Sequence, residues 1–415
     1  MRTFKRCSLA AALIAALGGA ISAQAQELVI WNRTASAPET AALKKIMADF
    51  EAANPGVTVK LETRSVDEHK SALRIASTSR QGPDLYYMWT GLGLGGEYVK
   101  AGLSAPLDDY YKKYNWTARI RPLADAYTNL YPPGKHGVPY QINGEAVYFN
   151  KELFKKAGIE APPKTYAELV AAADKLKAAG IPAITFGGSV NWHVMRLMDA
   201  ILETQCGAKT HDALKAMTVK WTETPCATAA FNEFHKWTSD YLLKPFMSFD
   251  QAQSRKLFEA NRAAMMLEGD WMIAQLRNET KDAEAFGVFP FPTGTGRLYG
   301  FGVNLYMSPY SKNKDLAARF LDYLISDKVQ QDNLGAFGAM GVNKNVAYKD
   351  PQPLDKAWID IFSKFNASFV NGDQGFPLDV TTEYFRLINS VASDTLPPAQ
   401  AAATLQAFID KRKTS

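Results

Sequence analysis

The chain has 415 residues, with 47 basic and 42 acidic side chains and 47% hydrophobic residues. Three of the basic residues and none of the acidic ones fall in the first 25, which leaves the remainder at a net charge of +2. No block of like charge follows except Lys411-Arg412-Lys413, which suits a helix C-terminus, so nucleic acid is not an expected partner. The length beyond residue 25 exceeds what one hydrophobic core supports, and two domains are expected.

The first 25 residues combine a basic start (Arg2, Lys5, Arg6), an uncharged apolar run from Ser8 to Ile21, and small residues in Ala23-Gln24-Ala25. This pattern is that of a secretory signal peptide cleaved after Ala25, leaving Gln26 first in an exported, periplasmic protein. No later apolar run has the roughly 18–20 residues of a membrane span. Cys7 lies inside the basic segment, too early for lipidation after a signal. Beyond it stand Cys206 and Cys226, an even number in an oxidising compartment, expected to form one disulfide. The rival reading, a metal pair, lacks CxxC spacing and clustered histidines, and no metal or cofactor is expected.

Leu28-Val-Ile-Trp31 reads as a short buried strand, followed by a helical run over residues 37–50, an Asn54-Pro55-Gly56 turn and an alternating strand over 57–61. A helix over 66–79 and a strand over 84–88 complete a β-α-β-α-β opening, which implies a largely parallel sheet covered by helices. Thr165 and Glu168 have capping-box spacing, and Gly180 stops the helix of 166–179. Residues 181–186 read as a strand and 192–203 as a helix. Thr224-Pro225 starts another helix with proline at its first position. Residues 263–267 form an apolar strand ending in Glu268-Gly269-Asp270-Trp271, and 315–325 an amphipathic helix. The whole reads as α/β.

The order and spacing of several short pieces resemble the extracellular solute-binding proteins of ABC importers, in their carbohydrate-binding, maltose-binding-protein-like family. These pieces are Leu28-Val-Ile-Trp31, Gly82-Pro-Asp84, Gly95-Gly96-Glu-Tyr98, Gly137-Val-Pro-Tyr140, Val147-Tyr-Phe-Asn-Lys-Glu152, Met265-Met-Leu-Glu-Gly-Asp-Trp271 and the strand of 300–309 with its following helix. The resemblance implies a two-lobed periplasmic-binding-protein fold, each lobe a mixed or parallel sheet flanked by helices, with the ligand between the lobes. It places one lobe at 26–143 plus 304–345 and the other at 144–303 plus 346–415, with chain crossings near 141–146, 301–307 and 341–348. The implied partners are a carbohydrate ligand and the permease subunits of an inner-membrane ABC transporter, and the receptor is expected to be a monomer.

Leu85-Tyr-Tyr-Met-Trp-Thr-Gly-Leu-Gly-Leu-Gly-Gly96 contains GxGxxG spacing at Gly91, Gly93 and Gly96. A dinucleotide turn would open a substantial helix after the first strand, whereas here only 97–101 could be helical before Gly102. The favoured reading is that small residues let the backbone approach a ligand beside Trp89, with a loop packed for its own sake as the alternative.

A sugar has apolar ring faces and a rim of hydroxyls, so its site needs aromatic platforms edged by amides, carboxylates or guanidinium groups. Trp89, Trp192 and Trp271 are the stacking candidates; Trp31, Trp221, Trp237 and Trp358 sit in apolar patterns and are assigned to the core. By family position the polar candidates are Asn32 and Arg33 after the first strand, Asn143 where the family carries an acid, Asp270 beside Trp271, and Gly302 and Asn304 on the second crossing. Asp84 is expected to cap a turn. Glu268 and Asp270 also suggest a secreted glycoside hydrolase, but adjacent positions on one strand end do not flank a bond from opposite sides. Scattered histidines and the absence of HExxH, GxSxG and a phosphate-loop lysine leave no other enzyme class. Polyamine, amino-acid and glycerophosphodiester cargo are the alternatives among binding proteins.

Overall fold

A computed structural model describes residues 26–413; the expected signal segment and its cleavage point lie outside the described residues. Eight strands form one mixed sheet in the order β2-β1-β3-β7-β4-β5, with β6 beside β4 and β8 beside β7. They are β1 (Gln26–Arg33), β2 (Val57–Arg64), β3 (Leu85–Trp89), β4 (Val138–Asn150), β5 (Met265–Gly269), β6 (Phe286–Phe289), β7 (Leu298–Met307) and β8 (Ser368–Phe369). The opening β-α-β-α-β is as predicted: β1 pairs in parallel with β2 and β3, and helices Ala37–Ala53 and Val66–Ser79 make the crossovers.

Two long strands join the halves of the molecule. β4 and β7 run antiparallel from Val138↔Leu305 to Glu145↔Tyr299, and every residue of both is buried. β7 pairs with β3 over 303–307 and with β8 at 298–299, while β4 continues into pairing with β5 and β6. The strands of the two lobes therefore form one continuous sheet. Side chains alternate across it: Tyr148 and Met266 enter one core, while Val147, Phe149, Met265 and Leu267 enter the other. In the first core, Trp358 Nε1 donates to Tyr148 OH at 2.8 Å, and Tyr148 OH donates to the Gly269 carbonyl at 3.1 Å. That relay ties the end of β5 to the helix Pro353–Lys364.

Local signals hold where the chain itself supplies the partner. The helix Pro225–Asp240 begins at the predicted proline, and the helix Tyr166–Ala178 starts with Thr165 accepting from the Glu168 N–H at 3.2 Å. The return bond of that box is displaced, since the Glu168 carboxylate accepts from the Lys164 N–H. Segment 181–186 makes only isolated bridges, Ile184 to Leu242 and to Met265; Pro182 lacks an N–H to give a ladder. The predicted helix of 192–203 extends over Asn191–Lys215 but breaks at Gly207, whose φ of 71° and ψ of 163° leave helical space. Just before that break, Cys206 is bonded to Cys226, with 20 residues of separation.

Candidate functional site

Strand ends and one helix N-terminus of the second half converge on one guanidinium. Trp192 and Arg196 lie one turn apart near the start of the helix Asn191–Lys215, so their side chains share a helix face. Arg196 is 5% exposed and Trp192 is 36% exposed. The Arg196 Cζ lies 4.8 Å from the ring centroid of Trp192 and 5.3 Å from that of Trp271. Two of the three tryptophans proposed as stacking platforms thus meet on one guanidinium. The Trp271 ring lies against the Gly269 backbone, where a Cβ would come within 2.0 Å of the indole, so glycine is required there for the ring to lie flat.

The guanidinium is held by two buried carboxylates from neighbouring strands. Arg196 Nη1 donates to Glu268, whose other oxygen accepts from Gln251. Arg196 Nε lies 2.9 Å from Glu145 Oε1 but off the N–H axis, so this contact is an ion pair without a hydrogen bond. Burial pushes the Glu145 carboxyl up to about 7, against the pull of Arg196 and with the help of Glu268. Desolvation of three charges is costly, and removing one partner leaves the others uncompensated, which typically costs about 3–5 kcal/mol.

Asn143 and Asp270 also meet. Asn143 Nδ2 donates to Asp270 Oδ1 at 3.0 Å, and the Ala339 N–H donates to Oδ2 at 2.6 Å. Burial raises the Asp270 carboxyl to about 6, with Asn143 and the Ala339 N–H opposing. The pair fastens the segment around Gly338 to the end of β5. Glu268 and Asp270 therefore serve different partners, and their side chains do not converge on a shared bond position.

The first-strand candidates are engaged within their own half. Arg33 pairs with Glu39 at 2.9 Å, and its Nε donates to Tyr87 OH at 3.1 Å. Glu39 also accepts from Tyr140 OH at 3.1 Å, which locks the C-terminal ends of β1 and β3 to β4. Asn32 is buried, and its Oδ1 accepts from the Arg33 N–H at 2.7 Å. Trp89 is half-buried, edge-on to Tyr87 at 4.9 Å, with Lys70 Nζ 5.6 Å over its ring.

Two expectations for the second crossing need correction. A Cβ on Gly302 would lie 2.5 Å from Tyr127 Cδ2, and the Gly302 carbonyl accepts from the Thr90 N–H, so this glycine makes room for protein rather than ligand. Asn304 has no exposed surface; its Nδ2 donates to the His136 carbonyl at 3.3 Å beneath Gly137. The glycine segment is corrected in the same way. Cβ atoms on Gly91 and Gly93 would lie 2.5 Å from the Gln374 carbonyl oxygen and 2.0 Å from that of Phe376. The Gly93 N–H donates to the Gln374 carbonyl at 3.2 Å. These glycines admit the 371–376 segment of the opposite half, and the helix after them, Gly95–Lys100, is only six residues long.

Sequence reasoning missed Lys70, Glu145, Arg196, Asp373 and Gln374. Asp373 Oδ1 and Gln374 Oε1 are covered and make no hydrogen bond. Burial raises the Asp373 carboxyl, with Lys70 from the opposite half the leading opposing charge, ahead of Lys215 and Arg196. Asp373 thus stands electrostatically between the Trp89 side and the Arg196 side of the seam. A legible signal existed for Glu145 and Glu268, since a single acid inside an apolar strand calls for a buried cation. The assigned core tryptophans Trp221, Trp237 and Trp358 are fully buried, while Trp31 is half-buried under Arg64 at 4.3 Å. Asp84 is structural but does not cap its own turn: it accepts from the Val29 N–H of β1 at 2.8 Å. A concavity of about 430 Å³ is bounded by Asn191, Met247 and Arg386, and none of the candidates lines it.

A sequence profile of bacterial extracellular solute-binding proteins matches residues 34–331. A putative binding protein of Brucella abortus (strain 2308) is 28% identical over 361 residues, covering 84% of each chain. The multiple sugar-binding protein of Streptococcus mutans serotype c is 25% identical over 343 residues, covering 76% of this chain and 75% of its own. Among solved structures, a chitin oligosaccharide binding protein superposes with a TM-score of 0.83 at 22% identity, over 94% of this chain and 99% of its own. A β4–β7 crossing beneath converging aromatics, in a chain matched over most of its length, leads to one conclusion: the protein belongs to the bacterial extracellular solute-binding protein family.

Proposed function

We propose that the protein is the receptor of an ABC importer that binds a carbohydrate between two lobes, 26–143 with 304–345 and 144–303 with 346–415. The observation that carries this reading is the meeting of Trp192 and Trp271 on the Arg196 guanidinium beside Glu145 and Glu268. Indole faces suit the C–H faces of a sugar, and carboxylate and guanidinium groups suit its hydroxyl rim. The sugar-binding relative in Streptococcus mutans and the chitin-oligosaccharide-binding structure support the same class. Each ring contact would add about 0.5–1.5 kcal/mol beyond area burial. With several hydrogen bonds this reaches about −8 kcal/mol, a micromolar Kd.

A ligand that touches both lobes favours the state in which both touch it, and hinge closure is the motion established for periplasmic binding proteins. In this reading the chain is exported by a signal peptide cleaved after Ala25, acts in the periplasm as a monomer, and presents its loaded form to permease subunits. The protein modifies nothing it binds. A thermal-shift screen of mono- and oligosaccharides tests the class. At 100 times Kd a true ligand adds about 2.7 kcal/mol. No response to any sugar, with a response to spermidine, an amino acid or a glycerophosphodiester, refutes it.

A further inference from the structure

The site holds a feature that the ligand class does not require. Trp192 and Trp271 come from unrelated elements, a helix N-terminus and the turn after β5, and they are 79 positions apart in the numbering. Trp271 has a second ring contact, Phe301 at 5.9 Å, and Trp192 has His193 at 5.4 Å. The shared neighbour that relates one ring to the other is Arg196.

Arg196 is itself unusually constrained. Glu145 and Glu268 lie on adjacent antiparallel strands, where Glu145 pairs with Gly269 and Ala146 with Glu268. Their side chains have no exposed surface, and that of Arg196 has 6%. Gln251 fixes the Glu268 carboxylate from a third element, the helix Gln251–Glu259. A planar guanidinium so gripped has little rotational freedom, and its faces and edges are set before any ligand arrives. Lysine cannot take its place, because an ammonium is a compact point charge with no plane to lie against two rings and no fork to span two carboxylates.

We infer that Arg196 is a positioning residue for ligand selection: by holding Trp192 and Trp271 in one fixed relation, it favours ligands long enough to contact both rings over those that reach only one. The inference rests on the carbohydrate reading above. It concerns how the two platforms act together rather than whether each binds, so its signature is a change in the preference between long and short ligands. A general loss of structure would weaken all ligands alike.

The experiment is calorimetric titration of wild type and Arg196→Lys with glucose, galactose, maltotriose, xylotriose and chitotriose, with circular dichroism and Tm recorded for each protein. For the best trisaccharide, the variant should bind about tenfold or more weakly, because two rings no longer held in place must be ordered on binding. Monosaccharide affinity should fall by a smaller factor, so that the ratio of trisaccharide to monosaccharide affinity drops by at least about threefold. The trisaccharide-induced change in tryptophan fluorescence should shrink in parallel. If Arg196→Lys does not fold, Glu268→Gln provides the reading, because it keeps the side-chain shape and loosens one side of the grip. The same selective loss, smaller in size, is then expected. A folded variant whose long and short ligands weaken equally, or that binds trisaccharide as wild type does, overturns the inference while leaving the carbohydrate reading intact. Wild type that binds none of the five sugars overturns both.

Discussion

Replacing Glu145 with glutamine removes a charge while keeping the side chain's shape, and its consequence can be worked out in sign and size. Burial holds the carboxyl at about 7 in the folded protein, against an ordinary value of 4.5, with Arg196 opposing the rise and Glu268 adding to it. Between those two values the native state keeps a proton that the unfolded chain has released. The stability contributed is complete below the unfolded value, falls as pH rises, and is gone once pH has passed the folded value. At about 1.4 kcal/mol per pH unit, the window is worth roughly 3 kcal/mol. Glutamine has no such titration. Urea unfolding of both proteins from about pH 4.5 to 8.5 should therefore show wild type losing roughly 3 kcal/mol relative to Glu145→Gln as the pH rises. Asp270 and Asp373, also raised by burial, are present in both proteins and largely cancel in the difference. A difference that stays constant across the window would refute the claim that Glu145 is held in a desolvated setting.

The seam and the disulfide give two further tests. Gly93→Ala would place a Cβ 2.0 Å from the Phe376 carbonyl oxygen and 2.5 Å from that of Asp373. Because backbone cannot yield as a flexible side chain does, the two halves must separate locally. A loss of about 1–3 kcal/mol in unfolding free energy is expected, with an increased radius of gyration in small-angle scattering. Unchanged values for both would mean that the 91–96 and 371–376 segments do not pack in solution. The Cys206–Cys226 bond closes a loop of 20 residues, so the Cys206→Ser/Cys226→Ser double variant should lose about 3 kcal/mol by chain entropy. Sugar affinity should remain as in wild type, because Cys206 lies ten positions along the helix from Arg196, about 15 Å at 1.5 Å per residue. An unaltered urea midpoint would count against the bond's contribution.

Much of the architecture was written in local patterns. The opening helices and strands, the proline-led helix at Pro225 and the Thr165 cap all depend on residues within a few positions of one another, which periodicity and capping chemistry report directly. The apolar run at 181–186 failed as a strand because Pro182 cannot donate to a ladder, a fact available in the sequence but outweighed by hydrophobicity. The Cys pair and the core placement of Trp221, Trp237 and Trp358 were also legible, from residue type and apolar surroundings. Arg196 was not. Its partners Glu145 and Glu268 are 51 and 72 positions away in the numbering, and no local rule brings a helix N-terminus onto two strand ends. The glycines after Trp89 were misread for the same reason. Their spacing is local, but the backbone that requires them belongs to residues 373–376. Gly302 and Asn304 show the complementary limit: family position put them on the crossing strand, and Tyr127 and His136 decided what each one faces.

The central claim is that a carbohydrate rests on the two indoles that Arg196 brings together. Calorimetric titration of wild type and Trp192→Ala/Trp271→Ala with the best sugar from the thermal-shift screen tests it most directly. Wild type should bind with a Kd of about micromolar, and the double variant should lose roughly 1–3 kcal/mol, on the order of tenfold to a hundredfold in Kd, while keeping its fold by circular dichroism. A folded double variant that binds the same sugar as tightly as wild type would place the ligand elsewhere and contradict the claim.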